Sequence, residues 1–223
     1  LERGYVSDRK YWTSVSFGGN LNGRALFYVP HDGGERWERL FSENMCDFSI
    51  PENGYALIVG QVKKDMSVSH EDIEIWYKKI CAEFKQRGWS VYFRPHPNEK
   101  WPNKLKYALK YRLNRGDLAQ AIDGARVVVT FNSNTGVDAI LQGRPVIAYD
   151  QGSMVWGVAG HSADEVIVPD RQGWAHKIAW CQYSPDEIRS GWAWEVISEA
   201  QKMNQFFAPS QEVSSSVHGS PVA

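Results

Sequence analysis

The sequence predicts an α/β protein in which helices cover both faces of a parallel β-sheet. Two short apolar runs rich in β-branched residues, at positions 55–59 and 127–130, have the length and composition of buried strands. Between them, apolar residues recur at helical spacing from Ile73 to Phe84, and Gly88 follows as a helix end. Strands that alternate with helices in this way are typical of a parallel sheet buried on both sides.

The bulk composition is that of a globular protein with a core of its own. The 223 residues carry a formal net charge of −1, so the overall charge does not favour tight non-specific binding to nucleic acid. No apolar run approaches the length of a membrane span, and no signal peptide is visible at the start. The three cysteines are far apart and lack metal-ligand spacing, which predicts free thiols in a reducing, cytoplasmic compartment.

The periodic elements divide the chain into three predicted regions. Residues 1–52 contain too few such elements for an independent core, and we interpret them as the remainder of an N-terminal domain or as an edge packed on the main domain. Residues 53–207 form the main domain, which we expect to close with one helix over 174–181 and another over 185–206. Residues 208–223 are rich in Ser, Val and Pro without periodicity, which predicts a disordered tail.

A polar or glycine-bearing cluster follows each predicted strand of the main domain. The four clusters cover residues 60–67, 94–98, 132–136 and 150–157. Ligands of parallel α/β sheets bind at the carboxyl ends of the strands, so we expect the clusters to converge on one edge and to form a binding site. Gln61, the second residue after the first strand, is a candidate ligand contact for this reason.

The third cluster lies at the predicted start of a helix. Ser133, Asn134, Thr135 and Gly136 bring hydroxyl, amide and backbone N–H groups to a helix N-terminus, which is a favourable place for a phosphate. Asp138 lies in the same first turn, where a carboxylate can accept hydrogen bonds from ribose hydroxyls, as acidic residues do in nucleotide sites. The alternative interpretation is a helix cap that binds nothing, with Asp138 complementing the helix dipole.

Two side chains in the first two clusters are candidates for the chemistry itself. Asp65 follows a strand end beside two lysines and a serine, and a carboxylate in such a place can act as nucleophile or general base. His96 stands between two prolines that hold its backbone stiffly, and Arg94 nearby adds positive charge suited to a phosphate or another anion. The alternatives are a solvated loop aspartate and a turn histidine packed against Trp101.

These stretches together resemble a known family. GQVKKDMS at 60–67, RPHP at 94–97, NSNTGVDAILQGRPVIAY at 132–149 and a later WG occur in this order, as in the bacterial capsule polysaccharide biosynthesis proteins. That family includes the Kdo transferases that build the lipid linker of capsules, and ERGY at 2–5 resembles its acidic-Gly-aromatic segment. The resemblance implies a GT-B-like architecture, with a Rossmann-type parallel-sheet domain and, in this chain, a reduced or truncated N-terminal domain.

The resemblance also implies a function and roles for single residues. Members of the family are glycosyltransferases that use a nucleotide-activated sugar, CMP-Kdo in the characterised branch. By resemblance, Asp65 corresponds to the motif aspartate proposed as the catalytic carboxylate, and His96 to the histidine near the donor phosphate. Ser133 and Thr135 correspond to the hydroxyl residues that hold the nucleotide.

We therefore expect a metal-independent glycosyltransferase that moves a sugar from a nucleotide donor, CMP-Kdo or another, to a glycan or glycolipid. No cofactor beyond the donor is expected, and no acidic pair of the DxD type stands in a loop suited to a metal. The identity of the nucleotide stays open, because the family commonly has Glu where this chain has Asp138 and Lys where it has Arg94.

Two alternative functions keep the same main domain. In one, the acceptor is a nucleic acid with a modified base, contacted by the basic and aromatic segment 100–115. In the other, the chain is a nucleotide- or sugar-binding module without catalysis. Strong salt dependence of DNA binding would favour the first alternative, and nucleotide binding without transfer would favour the second.

Overall fold

The computed structural model describes residues 1–19, 21–98, 112–113 and 116–211. In chain order, the strands of these ranges are β1 (Glu2–Arg3), β2 (Thr13–Ser14), β3 (Phe27–Tyr28), β4 (Tyr55–Val59), β5 (Val91–Arg94), β6 (Arg112–Leu113), β7 (Ala125–Thr130), β8 (Val146–Ala148), β9 (Gln182–Tyr183) and β10 (Phe206–Phe207). The α-helices are α1 (Glu35–Leu40), α2 (Ile73–Gln86), α3 (Leu118–Asp123), α4 (Thr135–Leu141), α5 (Gln172–Ala179), α6 (Pro185–Arg189) and α7 (Trp192–Lys202).

Five parallel strands form the central sheet in the order β6-β5-β4-β7-β8. In the middle strand, β4, Leu57 lies beside Tyr92 of β5 on one side and beside Val128 of β7 on the other. The chain runs outward from β4 through β5 to β6, returns to β7, and continues outward to β8. The strand order therefore reverses between β4 and β7, and such a switch point is where parallel sheets bind ligands.

Alternate residues of the central strands supply two hydrophobic cores, one on each face of the sheet. On one face, Leu57 and Val128 belong to a core that also contains residues of the N-terminal segment and of the C-terminal helices. On the other face, Ile58 and Val129 pack in a second core with the apolar side of α2. The predicted α/β fold with a parallel sheet buried on both faces is confirmed.

α2 shows how the sequence determines the helices of this domain. Asp72 caps its start by accepting hydrogen bonds from the backbone N–H groups of Glu74 and Ile75, each at 3.2 Å. The apolar residues at helical spacing are all buried: Ile73, Trp76, Tyr77, Ile80 and Phe84. After the helix, Gly88 adopts a positive φ of 83°. Glycine adopts this conformation without steric strain because it has no Cβ atom.

The C-terminal helix predicted over 185–206 is two helices, α6 and α7, in the structure. Ser184 and Glu187 form a capping box at the start of α6. Gly191 lies between the two helices with a φ of +85°, a left-handed conformation that interrupts the helical run. The predicted helix also ends too late, because Phe206–Phe207 form β10 and pair with β3.

Two small antiparallel sheets join the N-terminal segment to the C-terminal elements. β2 pairs with both β1 and β9, while β3 pairs with β10. In addition, Arg36 of α1 is buried and forms a bidentate ion pair with Glu187 of α6, with N–O distances of 2.7 and 2.8 Å. The N-terminal segment therefore packs directly against the main domain.

Some predictions fall at the limits of the described residues. Apart from the backbone of β6, the basic segment 100–115 lies outside them, and so do residues 212–223 of the predicted tail. The predicted free thiols are confirmed, with Cys46 exposed and both Cys81 and Cys181 buried. Among the helices of the described ranges, none combines the length and the apolar character that a bilayer span requires.

Candidate functional site

The four polar clusters lie at the carboxyl edge of the central sheet. Because β4, β5, β7 and β8 run parallel, the residues that follow these strands emerge at the same edge. β4 and β7 are neighbours at the switch point, so the clusters at 60–67 and 132–136 lie side by side there. The clusters therefore converge as the sequence predicts.

Gln61 and Asn132 connect the loops after β4 and β7. Both side chains are buried, and Nε2 of Gln61 donates to Oδ1 of Asn132 at 2.7 Å. The backbone N–H of Gln61 donates to the Tyr77 hydroxyl at 2.6 Å, and Nδ2 of Asn132 donates to the Ser67 carbonyl at 2.8 Å. Gln61, predicted as a ligand contact, is thus buried, and its hydrogen bond to Asn132 holds the two loops together.

Asp150, the second residue after β8, is the centre of a polar network at the same edge. Its carboxylate accepts hydrogen bonds from Nδ2 of Asn132 at 2.7 Å, from the Gly152 N–H at 2.8 Å and from both terminal nitrogens of Arg24. Nε2 of His70 lies 3.0 Å from Oδ2 of Asp150. Burial raises the pKa of this carboxyl, but these hydrogen bonds outweigh it and hold the pKa below its ordinary value.

Gly152 fits this network because it has no side chain. A Cβ atom at this position would lie 2.6 Å from Oδ1 of Asp150 and 2.9 Å from Nδ2 of Asn132. Only a glycine therefore lets the backbone approach the carboxylate closely enough to donate its N–H.

A cleft opens beside the network, between the N-terminal segment and the loop after β4. Its volume is about 270 Å³, and its lining includes Leu21, Arg24, Met66, Ser67, His70 and Gly152. Asp65, the predicted catalytic carboxylate, is the residue before Met66 and so belongs to the loop that supplies part of this lining.

Asp65 itself is exposed and caps a short 3₁₀-helix, Met66–Val68. Its Oδ1 accepts a hydrogen bond from the Ser67 N–H at 2.9 Å. Within the described part of the chain, Oδ2 has no hydrogen-bond partner. The capping bond fixes the direction of the carboxylate and leaves the second oxygen available to a ligand.

The start of α4 is largely satisfied by its own residues. The Thr135 N–H donates to Oγ of Ser133 at 3.2 Å, and the Gly136 N–H donates to the Ser133 carbonyl at 2.9 Å. Gly136 is buried against Val155, where a Cβ atom would lie 2.9 Å from Cγ2 of that residue. Gly136 therefore serves close packing, and the groups that α4 offers a ligand are the Thr135 hydroxyl and the Asn134 N–H.

Arg9 of the N-terminal segment covers the first turn of α4. Its Nη2 donates to the Asn134 carbonyl at 2.9 Å and forms an ion pair with Oδ1 of Asp138. Burial raises the pKa of Asp138, although the Arg9 guanidinium acts in the opposite direction. One oxygen of the carboxylate predicted to meet a ribose is thus already paired within the chain.

Arg94 ends β5, and His96 follows it at the same edge. The Gly60 N–H donates to the Arg94 carbonyl at 2.7 Å, which attaches this loop to the one after β4. His96 is half-buried, and its Nδ1 accepts a hydrogen bond from the Asn98 N–H at 3.1 Å. In the neutral imidazole the proton is therefore assigned to Nε2. Trp101, the alternative packing partner of His96, lies outside the described residues.

Sequence reasoning missed three members of the site: Arg24, His70 and Asp150. Asp150 begins the predicted cluster at 150–157, so its place after a predicted strand could have identified it as a site residue. Arg24 comes from a segment 126 residues away along the chain, and no local pattern connects the two. Among the residues that the structure describes, no group of His, Cys, Asp and Glu side chains is arranged to hold a metal ion.

The fold is similar to that of a solved glycosyltransferase. The β-Kdo 2,7-transferase KpsC of Thermosulfurimonas dismutans aligns over 92% of this chain and 77% of its own, with a TM-score of 0.56 and 15% identity. The β-Kdo 2,4-transferase KpsC of the same organism aligns over 74% of this chain and 62% of its own, with 13% identity and a TM-score of 0.44, which is too low to carry an argument. Neither a protein-family model nor a curated protein sequence matches the chain. At this identity the first similarity shows the fold alone, and it confirms the predicted GT-B-like α/β class.

Proposed function

We propose that this protein is a metal-independent, GT-B-type glycosyltransferase that moves a sugar from a nucleotide-activated donor to a glycan or glycolipid acceptor. The observation that carries the proposal is the convergence of four polar clusters at the switch point of a parallel sheet. The fold shared with a Kdo transferase supports it. We also propose a cytoplasmic location, in keeping with the free thiols.

In this proposal the donor phosphate binds between the start of α4 and His96. The Thr135 hydroxyl accepts a hydrogen bond from Ser133 at 3.3 Å and has no acceptor of its own among the described residues, so its proton can go to a phosphate oxygen. Nε2 of His96 carries a proton in the neutral ring and donates to the same group. These donors stabilise the negative charge that develops on the leaving nucleotide.

Arg94 and Asp138 are proposed to contact the rest of the nucleotide. Arg94 lies at the same edge as His96 and supplies positive charge for the phosphates. Because Arg9 is paired with Oδ1 of Asp138, Oδ2 is the oxygen that accepts a hydrogen bond from a ribose hydroxyl. We propose a cytidine nucleotide as the first to test, on the sequence resemblance to the family that uses CMP-Kdo.

Asp65 is proposed to act at the anomeric carbon. Its exposed carboxylate belongs to the loop whose residues Met66 and Ser67 line the cleft, and one of its oxygens is fixed by the Ser67 N–H. A carboxylate held in this way can attack the sugar as a nucleophile or accept a proton from the attacking group.

A thermal-shift screen of the full chain against CMP, UDP, GDP and their sugars tests the proposal. A ligand at 100 times its Kd stabilises the folded state by about 2.7 kcal/mol, which raises the melting temperature of a protein of this size by roughly 5–10 °C. We expect one nucleotide class to give such a shift. We also expect the corresponding nucleotide sugar to release its nucleotide when an acceptor is added. If no nucleotide or nucleotide sugar raises the melting temperature, the proposed function is wrong.

A further inference from the structure

The cleft beside the loop after β4 contains a histidine–aspartate pair. Nε2 of His70 lies 3.0 Å from Oδ2 of Asp150, and the imidazole lines the cleft while Asp150 lies behind it. The His70 side chain is 46% exposed, whereas that of Asp150 is only 8% exposed. The pair therefore joins a buried anion to a ring that a ligand in the cleft can reach.

The bonding of Asp150 determines which nitrogen of His70 carries the proton. An ionised carboxylate only accepts hydrogen bonds, and Asp150 is kept ionised by Arg24, Asn132 and the Gly152 N–H. Nε2 of His70 must therefore be the protonated nitrogen in the neutral ring. Nδ1 is then an acceptor, and it has no hydrogen-bond partner within the described part of the chain.

The ring is held in this orientation by packing as well. Its centroid lies 5.6 Å from that of Phe131, the residue before Asn132. The charged groups of the described residues that face it are Asp150 and Arg24, whose Nη2 lies 3.5 Å from Nε2. The other lining residues of the cleft, such as Leu21, Met66 and Ser67, carry no charge. The His70 ring thus lies beside one charged lining residue, Arg24, which is paired with Asp150, and otherwise beside uncharged neighbours.

We infer that the cleft receives the acceptor hydroxyl and that His70 is the catalytic base that deprotonates it, with Asp150 as the positioning residue. This inference rests on the proposed glycosyl transfer and assigns its acceptor side. Asp65 is the residue before the lining residue Met66, so the proposed reacting residue and the cleft share one loop.

The acceptor O–H proton passes to Nδ1 of His70 while the acceptor oxygen forms a bond to the anomeric carbon. The bond from that carbon to an Asp65 oxygen, formed when Asp65 displaced the donor phosphate, breaks, and the electron pair returns to the Asp65 carboxylate. The Asp150 carboxylate stabilises the imidazolium, which then releases its proton to solvent.

The decisive variant is His70→Gln, because an exposed glutamine keeps the polarity of the site but cannot accept the proton. Nucleotide release is measured from CMP-, UDP- and GDP-sugars, with water as acceptor and again with added glycans. We expect His70→Gln to lower turnover by about 100-fold or more and to leave the Kd of the nucleotide within about twofold of wild type. The matched control is His31→Gln, which changes an exposed histidine outside the cleft and should leave turnover unchanged.

The positioning role of Asp150 is tested by ¹⁵N NMR of the histidine side chains in the full-length wild-type chain. We expect His70 to be in the Nε2–H form at neutral pH. In Asp150→Asn that tautomer preference should be lost.

The outcomes separate the two proposals. An active wild type with an equally active His70→Gln, or a wild-type His70 in the Nδ1–H form, overturns the role of His70 and leaves glycosyl transfer standing. A wild type that releases no nucleotide from any donor overturns the proposed function and this inference with it.

Discussion

Gln61 and Asn132 hydrogen-bond each other in both directions and so join the loops of the two central strands. Nε2 of Gln61 donates to Oδ1 of Asn132 at 2.7 Å, and the backbone N–H of Asn132 donates to Oε1 of Gln61 at 3.1 Å. The pair is buried at the switch point, between the loop that carries Asp65 and the turn that carries Ser133. It therefore couples the proposed chemical residue to the proposed donor site through the fold itself.

The first prediction concerns the stability that Asn132 supplies. Asn132→Ala should lower the free energy of unfolding by about 3 kcal/mol, because Gln61 and Asp150 would each lose a buried partner. Urea denaturation measures the change. The control is Asn53→Ala, an exposed position where we expect a change of about 0.5 kcal/mol or less. Equal effects of the two substitutions would show that the buried network adds no stability.

The second prediction concerns pH and follows from Asp150. Burial raises the pKa of this carboxyl, but the hydrogen bonds from Arg24 and its other partners leave it below the ordinary value. A carboxyl with a lowered pKa stabilises the folded state at pH values above its unfolded-state pKa, which is about 3.9. That stabilisation is lost as the pH falls through the folded-state pKa. Asp150→Asn should therefore lower the free energy of unfolding by about 3 kcal/mol at neutral pH.

Below about pH 4 the difference between the two proteins should shrink. Urea denaturation from neutral to acid pH measures this difference. The control is Asp186→Asn, which changes an aspartate whose side chain is 80% exposed and should show little difference at any pH. A difference that stays constant into the acid range would contradict the role of Asp150 as a stabilising anion.

The sequence predicts the fold well because the relevant signals are local. The run at 55–59 and the helical spacing from Ile73 to Phe84 each describe one element, and Gly88 ends that helix as expected. The exception at the C-terminus is instructive, since the apolar periodicity continues across Gly191 while the backbone turns there. Periodicity records which side of a segment is apolar, and it does not detect a break that keeps the same side buried.

The site is harder to predict because its parts come from distant segments. Parallel topology brings Ser133 and Asp65 to one edge, and strand ends reveal such residues. Arg24 reaches Asp150 only because the N-terminal segment packs on the main domain, and His70 reaches it from the loop after β4; neither contact leaves a pattern in the sequence. The same long-range packing brings Arg9 to Asp138.

The third prediction concerns the start of α4. The double variant Ser133→Ala and Thr135→Ala should weaken nucleotide binding by about 2 kcal/mol, roughly 30-fold in Kd, because the Thr135 hydroxyl donor to the phosphate and the Ser133 hydroxyl that orients it are lost. Calorimetric titration with the best ligand among CMP, UDP and GDP measures the affinity. Ser198→Ala removes a hydroxyl from an exposed position of α7 and should leave binding unchanged. A folded double variant with wild-type affinity would remove this turn from the donor site.

The fourth prediction separates ligand binding from packing at His96. If His96 binds the donor, His96→Ala should leave the melting temperature of the free protein almost unchanged and should reduce the stabilisation that nucleotide gives. Thermal melting with and without nucleotide measures both quantities. His31→Ala, at an exposed position outside the site, is the control and should change neither. A large loss of stability without ligand would instead identify His96 as a packing residue.

The last prediction concerns Asp65 and compares two capping aspartates. Asp65 caps the 3₁₀-helix at Met66–Val68, and Asp72 caps α2 in the same way. Asparagine caps helices about as well as aspartate, so Asp65→Asn and Asp72→Asn should each change stability by less than about 0.5 kcal/mol. Any difference in activity between them then reports on the carboxylate and not on the fold.

We expect Asp65→Asn to keep nucleotide affinity and to lower turnover by about 100-fold or more, because a neutral amide can neither attack the sugar nor accept a proton. Asp72→Asn should retain wild-type turnover. Steady-state kinetics separates a loss in kcat from a rise in KM, and a rise in KM alone would mean that Asp65 only holds a substrate hydroxyl. Mass spectrometry of the protein stopped during turnover detects a sugar attached to the Asp65 peptide, which distinguishes nucleophile from base. Near-normal turnover in Asp65→Asn would exclude this residue from the chemistry.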